Sequence, residues 1–278
     1  MDTEISGVLL IYVLAILLAI PFGKYIARVF AGEKTWLDPV FNPLERGFFK
    51  LCGIDPAQEM TWKQHLRALL IINLIWFFFG MFILMNQGWL PWNPDGNPSL
   101  SPHLAFNTVI SFIVNCNLQH YSGETGLSYL GQIFAIQFFQ FVSAGAGIAA
   151  CAILFNAMRE RTATHLGNFY DYFLKSCTRI LLPVALVGAI ILAFRGTPQT
   201  FEGKDTMITL QGDTVQVSRG PVAGMVSIKQ AGTNGGGWFG VNSAHPLENP
   251  DYLTNAVENI FILLIPMALV FALGYYLK

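Results

Sequence analysis

Long uncharged apolar runs, separated by polar segments, dominate the pattern of hydrophobic and polar positions along the chain. Five runs stand out, at 5–23, 68–88, 127–158, 180–194 and 259–277. A helix needs about 20 mainly apolar residues to cross the hydrocarbon core of a bilayer. The third run is long enough for a steep tilt, and the fourth reaches the required length once it is extended back through 169–174. The pattern therefore predicts five membrane-spanning helices.

The first run has the length of a signal peptide as well as that of a span. Asp2 and Glu4 precede it, whereas a signal peptide carries basic residues there, and no small-residue cleavage site follows. We therefore expect this run to be retained as a helix.

The composition agrees with an all-α protein that crosses the membrane several times. Hydrophobic residues make up 53% of the 278 residues and charged residues 12%, against about 25% charged in a soluble domain. The net charge of −1 lacks the basic excess that nucleic-acid binding requires, which excludes that class of partner. The four cysteines form no CxxC pair, so we interpret them as small buried hydrophobes without a disulfide or zinc site.

Lysine and arginine predict the orientation, because basic residues in short loops stay on the cytoplasmic side. They concentrate after the first and third runs, at Lys24, Arg28, Lys34, Arg46, Lys50, Lys63, Arg67, Arg159, Arg161, Lys175 and Arg179. The segment 86–112 contains none. We therefore expect the N-terminus, 86–112 and 195–229 outside the cell, and Lys278 inside.

Two shorter apolar stretches lie between predicted spans, and each stops in a polar turn. A Ser-Pro pair opens the stretch 101–114, which stops at the string Asn-Cys-Asn-Leu-Gln of 115–119. A Gly-Pro pair opens the stretch 220–231, which stops at Thr-Asn-Gly-Gly-Gly of 233–237. Because the flanking segments are predicted outside, each stretch is expected to enter the membrane and return. Such irregular backbone requires surrounding protein or a water-filled cavity.

The recurring layout of span, half-helix, turn and span indicates a weak internal repeat. We expect a single transmembrane domain over 1–278. It would hold an additional N-terminal span at 5–30, a first pore unit at 66–158 and a second at 170–278. Two such units supply half of the four that usually surround a cation pore.

A small β-structure is predicted in the last outer segment. Residues 206–218 alternate apolar and polar positions on both sides of Gly212-Asp213. This pattern is typical of a two-stranded hairpin with a tight turn. We interpret it as an extracellular flap with a structural role.

The two turns carry the residue types that a dehydrated cation requires. Backbone carbonyls can replace its water shell without introducing a fixed charge. Glycines at 235–237 make the necessary backbone geometry reachable, and Asn and Thr add side-chain oxygens. Each half-helix also directs the negative end of its dipole at its turn. The sequence predicts a cation site at these turns. A flexible linker at 233–237 and helix capping by Asn115 and Asn117 are the alternative interpretations.

Three charged residues and one thiol lie close to the turns in sequence. Glu124 and Glu248 either concentrate cations in an outer vestibule or are ordinary solvated acids. Lys229 would oppose cation entry from the pore side, so it is predicted to face away and extend to the surface. Cys116 has no basic activator nearby and is expected to contribute its carbonyl while its side chain is buried.

Catalytic motifs are missing from the sequence. It has no GxxxxGK[ST] phosphate loop, no GxSxG elbow and no HExxH helix. The chain is therefore not expected to be an enzyme by itself or to hold an ATP site. Active transport would need energy from a partner.

Three segments resemble the potassium-binding subunit of the Kdp-type potassium-transporting ATPase. They are MTWKQHL at 60–66, SFIVNCNLQHYSGETGLSYLGQ at 111–132 and GPVAGMVSIKQAGTNGGGWFGVNSAHPLENPDYLTN at 220–255. The likeness extends from near the N-terminus to the end of the chain. The family's first filter usually has threonines flanking its first asparagine and a tryptophan before its glutamine; this chain has Val114, Cys116 and Leu118 there.

The resemblance implies a fold of the potassium-channel-like superfamily and a potassium filter. Its residues in this chain would be Asn115, Cys116, Asn117, Gln119, Thr233, Asn234, Gly235, Gly236 and Asn242. Extracellular potassium would pass from there to a P-type ATPase catalytic subunit, with two small subunits completing a complex in a bacterial-type inner membrane. The family's chain is about twice as long and has four filter segments. This chain is therefore expected to be its N-terminal half, as a fragment or as part of a split protein.

Two other functions remain open at this point. The first is an ATP-independent cation channel or secondary carrier in which two chains pair to complete a fourfold filter. Neighbouring reading frames separate the two, since a P-type ATPase partner is expected only for the Kdp-type function. The second is a structural membrane subunit without an ion site, for which Gly235→Asp leaves potassium uptake unchanged.

Overall fold

The structure is a computed structural model that describes residues 3–159, 164–240 and 242–277. Asp2, Arg161 and Lys278, on which parts of the signal-peptide and orientation arguments rest, lie outside the described residues. In chain order the elements are α1 (Thr3–Phe30), α2 (Asp38–Cys52), α3 (Trp62–Asn86), α4 (Pro102–Ile113), α5 (Gly123–Gly126), α6 (Tyr129–Arg159), α7 (Phe169–Phe194), β1 (Asp205–Ile208), β2 (Thr214–Val217), α8 (Val222–Ala231) and α9 (Tyr252–Tyr276).

Five of these helices, α1, α3, α6, α7 and α9, are long and apolar enough to cross a membrane. They confirm the five predicted spans. Their outward faces carry many exposed apolar side chains, such as Leu17 on α1 and Phe78 on α3. Exposed apolar surface of this extent is typical of contact with lipid. The chain is thus a mostly helical, multi-pass membrane protein.

Helices α6 and α7 each contain a π-helical segment, Gln132–Gln137 and Ser176–Leu181. Such a segment inserts one extra residue into the helix. In a regular helix Gln132 and Gln140 would point about 80° apart, at about 100° per residue. The extra residue reduces this angle to roughly 20°. Both amides therefore project from the same face of α6.

The chain divides into two compact units. Unit 1 comprises 1–74, 144–184 and 258–278, and unit 2 comprises 75–143 and 185–257. Unit 2 contains both half-helices, α4 and α8, and both polar turns. Its fully buried large side chains are Phe112, Phe139, Trp238, Leu84, Leu127, Ile136, Leu192 and Lys229. The turns are therefore built against a packed core.

In unit 1, a glycine lets two membrane helices approach closely. A Cβ on Gly23 of α1 would lie 2.6 Å from the carbonyl oxygen of Ala268 on α9. In lipid, helices associate without a hydrophobic driving force, and small residues at a crossing let their backbones pack closely. Any larger side chain at position 23 would force α1 and α9 apart.

The amphipathic helix α2 is anchored to α7 by a buried arginine. The Arg179 guanidinium lies 2.5 Å from Glu45 Oε2 and 2.7 Å from Asp38 Oδ1. The side chains of Arg179 and Glu45 are each 6% exposed. Burial acts to raise the pKa of Asp38. Hydrogen bonds from Thr35 and the charge of Arg179 outweigh it and hold this pKa below its ordinary value.

The predicted hairpin is present in unit 2 as β1 and β2, which pair antiparallel and end at Ile208 opposite Thr214. A tight turn connects the strands, as predicted, because Gly212 N donates to Thr209 O at 2.9 Å. Thr209 N also donates to Asp213 O at 2.8 Å and closes the segment 209–213. Gly212 takes a left-handed φ of 92° at the last position of this turn.

Candidate cation site

The two half-helices of unit 2 begin and end as their sequences predict. The Ser101 hydroxyl accepts a hydrogen bond from Leu104 N at 3.4 Å, and α4 starts at the following proline. Helix α8 begins directly after Pro221. Each helix ends within two residues of its turn. We call 115–119 the first turn and 233–237 the second turn.

The backbones of the two turns follow the same conformational pattern. Asn115 and Asn117 have φ angles of 60° and 58°, and Thr233 and Gly235 have 55° and 121°. Three of these four residues are not glycine, so their left-handed conformation is uncommon and costs strain. The two turns therefore share left-handed residues at their first and third positions.

The hydrogen bonds that connect each turn to its half-helix also match. Cys116 N donates to Ser111 O at 2.9 Å, and Asn234 N donates to Lys229 O at 2.9 Å. Among the described residues, no hydrogen bond is accepted by the carbonyl oxygens at 115, 116, 233, 234 or 235. Backbone oxygens in a folded protein normally find a partner. Neutral carbonyl oxygens of this kind have the chemistry that a potassium ligand requires.

The first and second turns are joined through Asn115. Its Oδ1 accepts hydrogen bonds from the Asn234 amide and, at 3.0 Å, from the Ser143 hydroxyl. Its Nδ2 donates to Gly232 O at 3.2 Å. One side chain thereby connects both turns and α6. The sequence predicted these asparagines at the site but not their mutual contact.

Two glutamines of α6 support the second turn. Gln140 Nε2 donates to Gly236 O at 2.8 Å, and Gln132 Nε2 donates to Trp238 O at 3.0 Å. Both amides reach the chain at 236–238 because the π-helical segment, which begins at Gln132, places them on one face of α6. Sequence reasoning missed their role. The available signal was a polar amide inside an otherwise apolar span, which is costly unless it has a partner.

The remaining polar residues of the first turn, Asn117 and Gln119, also lie close to the second turn. Asn117 is 5% exposed, and within the described part of the chain its side-chain amide has no hydrogen-bond partner. Gln119 Oε1 accepts a hydrogen bond from Gly237 N at 3.1 Å. Gly236 lies between these residues, since a Cβ there would be 3.2 Å from Asn117 O. An unpartnered buried amide beside free carbonyls is consistent with a polar ligand site.

The three consecutive glycines have different surroundings. A Cβ on Gly236 would lie 2.7 Å from the Phe112 ring, and one on Gly237 would lie 2.6 Å from the Glu248 carboxylate. A Cβ on Gly235 would meet no atom within 4 Å. Gly236 and Gly237 are thus backed by protein, whereas Gly235 faces open space. The linker interpretation does not account for two glycines that are required by packing.

The structure contradicts the predictions for Lys229 and Glu248. Lys229 does not extend to the surface, and Glu248 is neither a vestibule acid nor solvated. Both side chains are 0% exposed, and Lys229 Nζ lies 2.6 Å from Glu248 Oε2. Burial is possible because each charge neutralises the other. Glu124 is half-buried and lines a cleft of about 430 Å³ with Lys204, Phe239 and His245. Its role in a vestibule stays a prediction.

Two further site residues differ from expectation. The Cys116 side chain is exposed, not buried as expected, and it lies between two residues with left-handed backbone, Asn115 and Asn117. Cys52 is exposed as well, so the buried-hydrophobe interpretation holds best for Cys177. Asn242 is exposed, and its Oδ1 accepts a hydrogen bond from Gln230 Nε2 at 3.2 Å. It is therefore tied to the end of α8, and among the described residues it has no hydrogen bond to either turn.

Five apolar spans with two half-helices that end in carbonyl-rich turns define a multi-pass membrane protein with a candidate cation site. The chain belongs to the KdpA family, the potassium-transporting ATPase A subunit, whose family model matches residues 9–278. This finding confirms the family resemblance that the three sequence segments indicated.

Several curated relatives carry the name potassium-transporting ATPase potassium-binding subunit. The protein of Flavobacterium johnsoniae is 63% identical over 278 residues, which cover all of this chain and 48% of the relative. That of Bacteroides thetaiotaomicron is 56% identical over 278 residues, which cover all of this chain and 49% of the relative. That of Alicyclobacillus acidocaldarius is 44% identical over 277 residues, 99% of this chain and 49% of the relative. The chain spans about half the length of the curated relatives it matches.

Proposed function

We propose that this chain binds extracellular potassium between the first and second turns, as part of a transporter driven by ATP hydrolysis. The observation that carries this proposal is the matched geometry of the two turns. Each has left-handed residues at its first and third positions, and each leaves backbone carbonyls without partners in the described part of the chain. The names of the relatives support potassium as the ion.

The chemistry of the site follows from its ligands. Potassium exchanges its water shell for the carbonyl oxygens of Asn115, Cys116, Thr233, Asn234 and Gly235. Neutral oxygens bind it without trapping it, since they introduce no fixed charge. The C-terminal ends of α4 and α8 add negative potential. Asn117, Gln119 and Gly236 complete the site from the flanks, and Asn242 supports it through α8.

The two turns form two quarters of a fourfold filter in this proposal. The units at 66–158 and 170–278 are the two pore units, and 5–30 is the additional span. Two further turns come from outside this chain. The N-terminus faces outward in an inner membrane of bacterial type. A P-type ATPase catalytic subunit takes the ion from the filter, and two small membrane subunits complete the complex.

The decisive experiment places a carboxylate in the filter with Gly235→Asp, expressed from the native genomic locus so that neighbouring gene products are present. An added Cβ at Gly235 meets no described atom within 4 Å, but the φ of 121° strains any residue other than glycine. We expect altered affinity or ion choice in potassium uptake and in growth at limiting potassium. Gly212→Asp is the matched control, since Gly212 is also a left-handed glycine with open space around it. Unchanged uptake in Gly235→Asp would instead support a structural subunit.

An ATP-independent channel or carrier made of paired chains is the second candidate, because this chain supplies two turns. It predicts that neighbouring reading frames lack a P-type ATPase. It also predicts that potassium uptake into energised vesicles continues after ATP is removed. Under our proposal uptake stops when ATP is removed.

A further inference from the structure

Lys229 contacts the second turn through both its backbone and its side chain. Its carbonyl oxygen accepts the hydrogen bond from Asn234 N at 2.9 Å. Its Nζ donates to Glu248 Oε2 and to Ser243 Oγ, each at 2.6 Å. The lysine therefore links the start of the turn to the segment that follows it.

Glu248 holds the chain that leaves the second turn. Its Oε1 accepts a hydrogen bond from Phe239 N at 2.9 Å, and its Oε2 accepts one from Ser243 N at 3.1 Å. The carboxylate also lies directly against Gly237, where any Cβ would overlap it. Together with the amides of Gln119 and Gln132, this carboxylate holds the segment that follows the second turn. Its charge is balanced by Lys229.

In the first turn, Ser111 occupies the position that corresponds to Lys229. Ser111 precedes Asn115 by the same spacing as Lys229 precedes Thr233. Its carbonyl oxygen also accepts the turn's backbone N–H, from Cys116. Its hydroxyl also accepts a hydrogen bond from Leu118 N at 2.5 Å, so Ser111 holds the end of the first turn directly. In both half-helices, the residue four positions before the turn helps to hold the segment with which the chain leaves that turn.

We propose that the Lys229–Glu248 pair is a positioning device that sets the spacing of the second turn's carbonyls and hence the discrimination between cations of similar size. This inference rests on the proposed potassium site. Lys229 alone would place a positive charge beside the bound cation. Paired with Glu248 it holds the turn without adding net charge. The two residues act through the backbone and do not contact the ion.

The test measures the ratio of apparent affinities for potassium and rubidium in uptake, normalised to the amount of the protein in the membrane. The variants are Lys229→Met, Glu248→Gln and the double variant Lys229→Gln/Glu248→Gln. We expect each single change to shift the ratio by roughly fivefold or more. The double variant, whose amides can hydrogen-bond to each other, returns the ratio to within about twofold of the original.

Glu45→Gln is the matched control, because it breaks the similarly buried Arg179–Glu45 pair of unit 1. It lowers the amount of protein but leaves the ratio unchanged. Unshifted ratios in both single variants overturn the positioning role, since a structural pair affects only the amount. If neither single variant accumulates, Ser243→Ala decides. It removes one bond from Lys229 Nζ, keeps the ion pair and is expected to shift the ratio in the same direction; an unchanged ratio overturns the proposal.

Gly235→Asp separates the two proposals. If this variant changes uptake while the ion-pair variants do not change the ratio, only the positioning role fails. If Gly235→Asp leaves uptake and ratio unchanged, the potassium site itself fails.

Discussion

The amide of Asn234 donates a hydrogen bond to Oδ1 of Asn115, and this contact joins the two turns across 119 residues of sequence. Each asparagine lies in the strained stretch of its own turn. Strained conformations persist when surrounding contacts over-determine them. The geometry of either turn therefore depends on the presence of the other.

This dependence predicts energetic coupling between the two asparagines. Asn115→Ala and Asn234→Ala should each lower the free energy of unfolding by about 1–3 kcal/mol, because buried partners are left unsatisfied. The double variant should lose less than the sum, with a coupling of at least about 0.5 kcal/mol. Thermal unfolding of the purified protein in detergent measures all three. Asn107→Ala, which removes an exposed bond within α4, should add independently to Asn115→Ala; full additivity of Asn115 and Asn234 would disprove the coupling.

Gly123 is predicted to be intolerant of any side chain. A Cβ there would lie 1.6 Å from Trp238 O, and backbone cannot move aside as a flexible side chain can. Gly123→Ala should cost at least about 3 kcal/mol, the upper end for overpacking. The yield of folded protein in membranes reports this loss. Gly47→Ala, in α2 with no atom within 4 Å of the added Cβ, should instead be neutral or stabilising by about 0.5–1 kcal/mol. Equal yields would contradict the close approach at Gly123.

The neighbouring glycines of the second turn should fail in different ways when changed to alanine. Gly236→Ala drives a Cβ into the Phe112 ring, so the amount of folded protein should fall. Gly235→Ala meets no atom but strains a left-handed position, at a cost of about 1–2 kcal/mol. It should leave most of the protein in the membrane and weaken potassium uptake per molecule. Immunoblotting together with radioactive rubidium uptake separates the two effects, and the reverse assignment would be inconsistent with the structure.

Asp38 should make the stability of unit 1 depend on pH in the acid range. Hydrogen bonds from Thr35 and the charge of Arg179 lower its pKa in the folded state, against the effect of burial. A lowered pKa contributes stability that is fully present above about pH 4, the ordinary range of aspartate, and is lost as pH falls toward the folded value. Asp38→Asn should therefore be less stable than the original protein at pH 7, and the difference should vanish in acid. Melting temperatures from pH 7 downward test this; a constant difference would refute it.

Local signals explain what could be predicted from the sequence. Helix starts at Ser101-Pro102 and Gly220-Pro221 depend on neighbouring residues, and so do the stops at the asparagine and glycine turns. Lys229 was predicted wrongly because its burial depends on Glu248, 19 residues further along the chain. The roles of Gln132 and Gln140 depend on a π-helical segment that no apolar pattern reveals. Contacts that join distant segments were the part that sequence reasoning could not supply.

The contact between Asn115 and Asn234 also has a consequence for biosynthesis. A ribosome adds about 5–20 residues per second, so the first turn emerges roughly 6–24 s before its partner exists. During that interval Asn115 has neither Asn234 nor Gly232 to bind. The inserted first half must keep this polar segment solvated or shielded until the second half arrives. Slow translation between α4 and α8 therefore prolongs the interval in which the first turn lacks its hydrogen-bond partners.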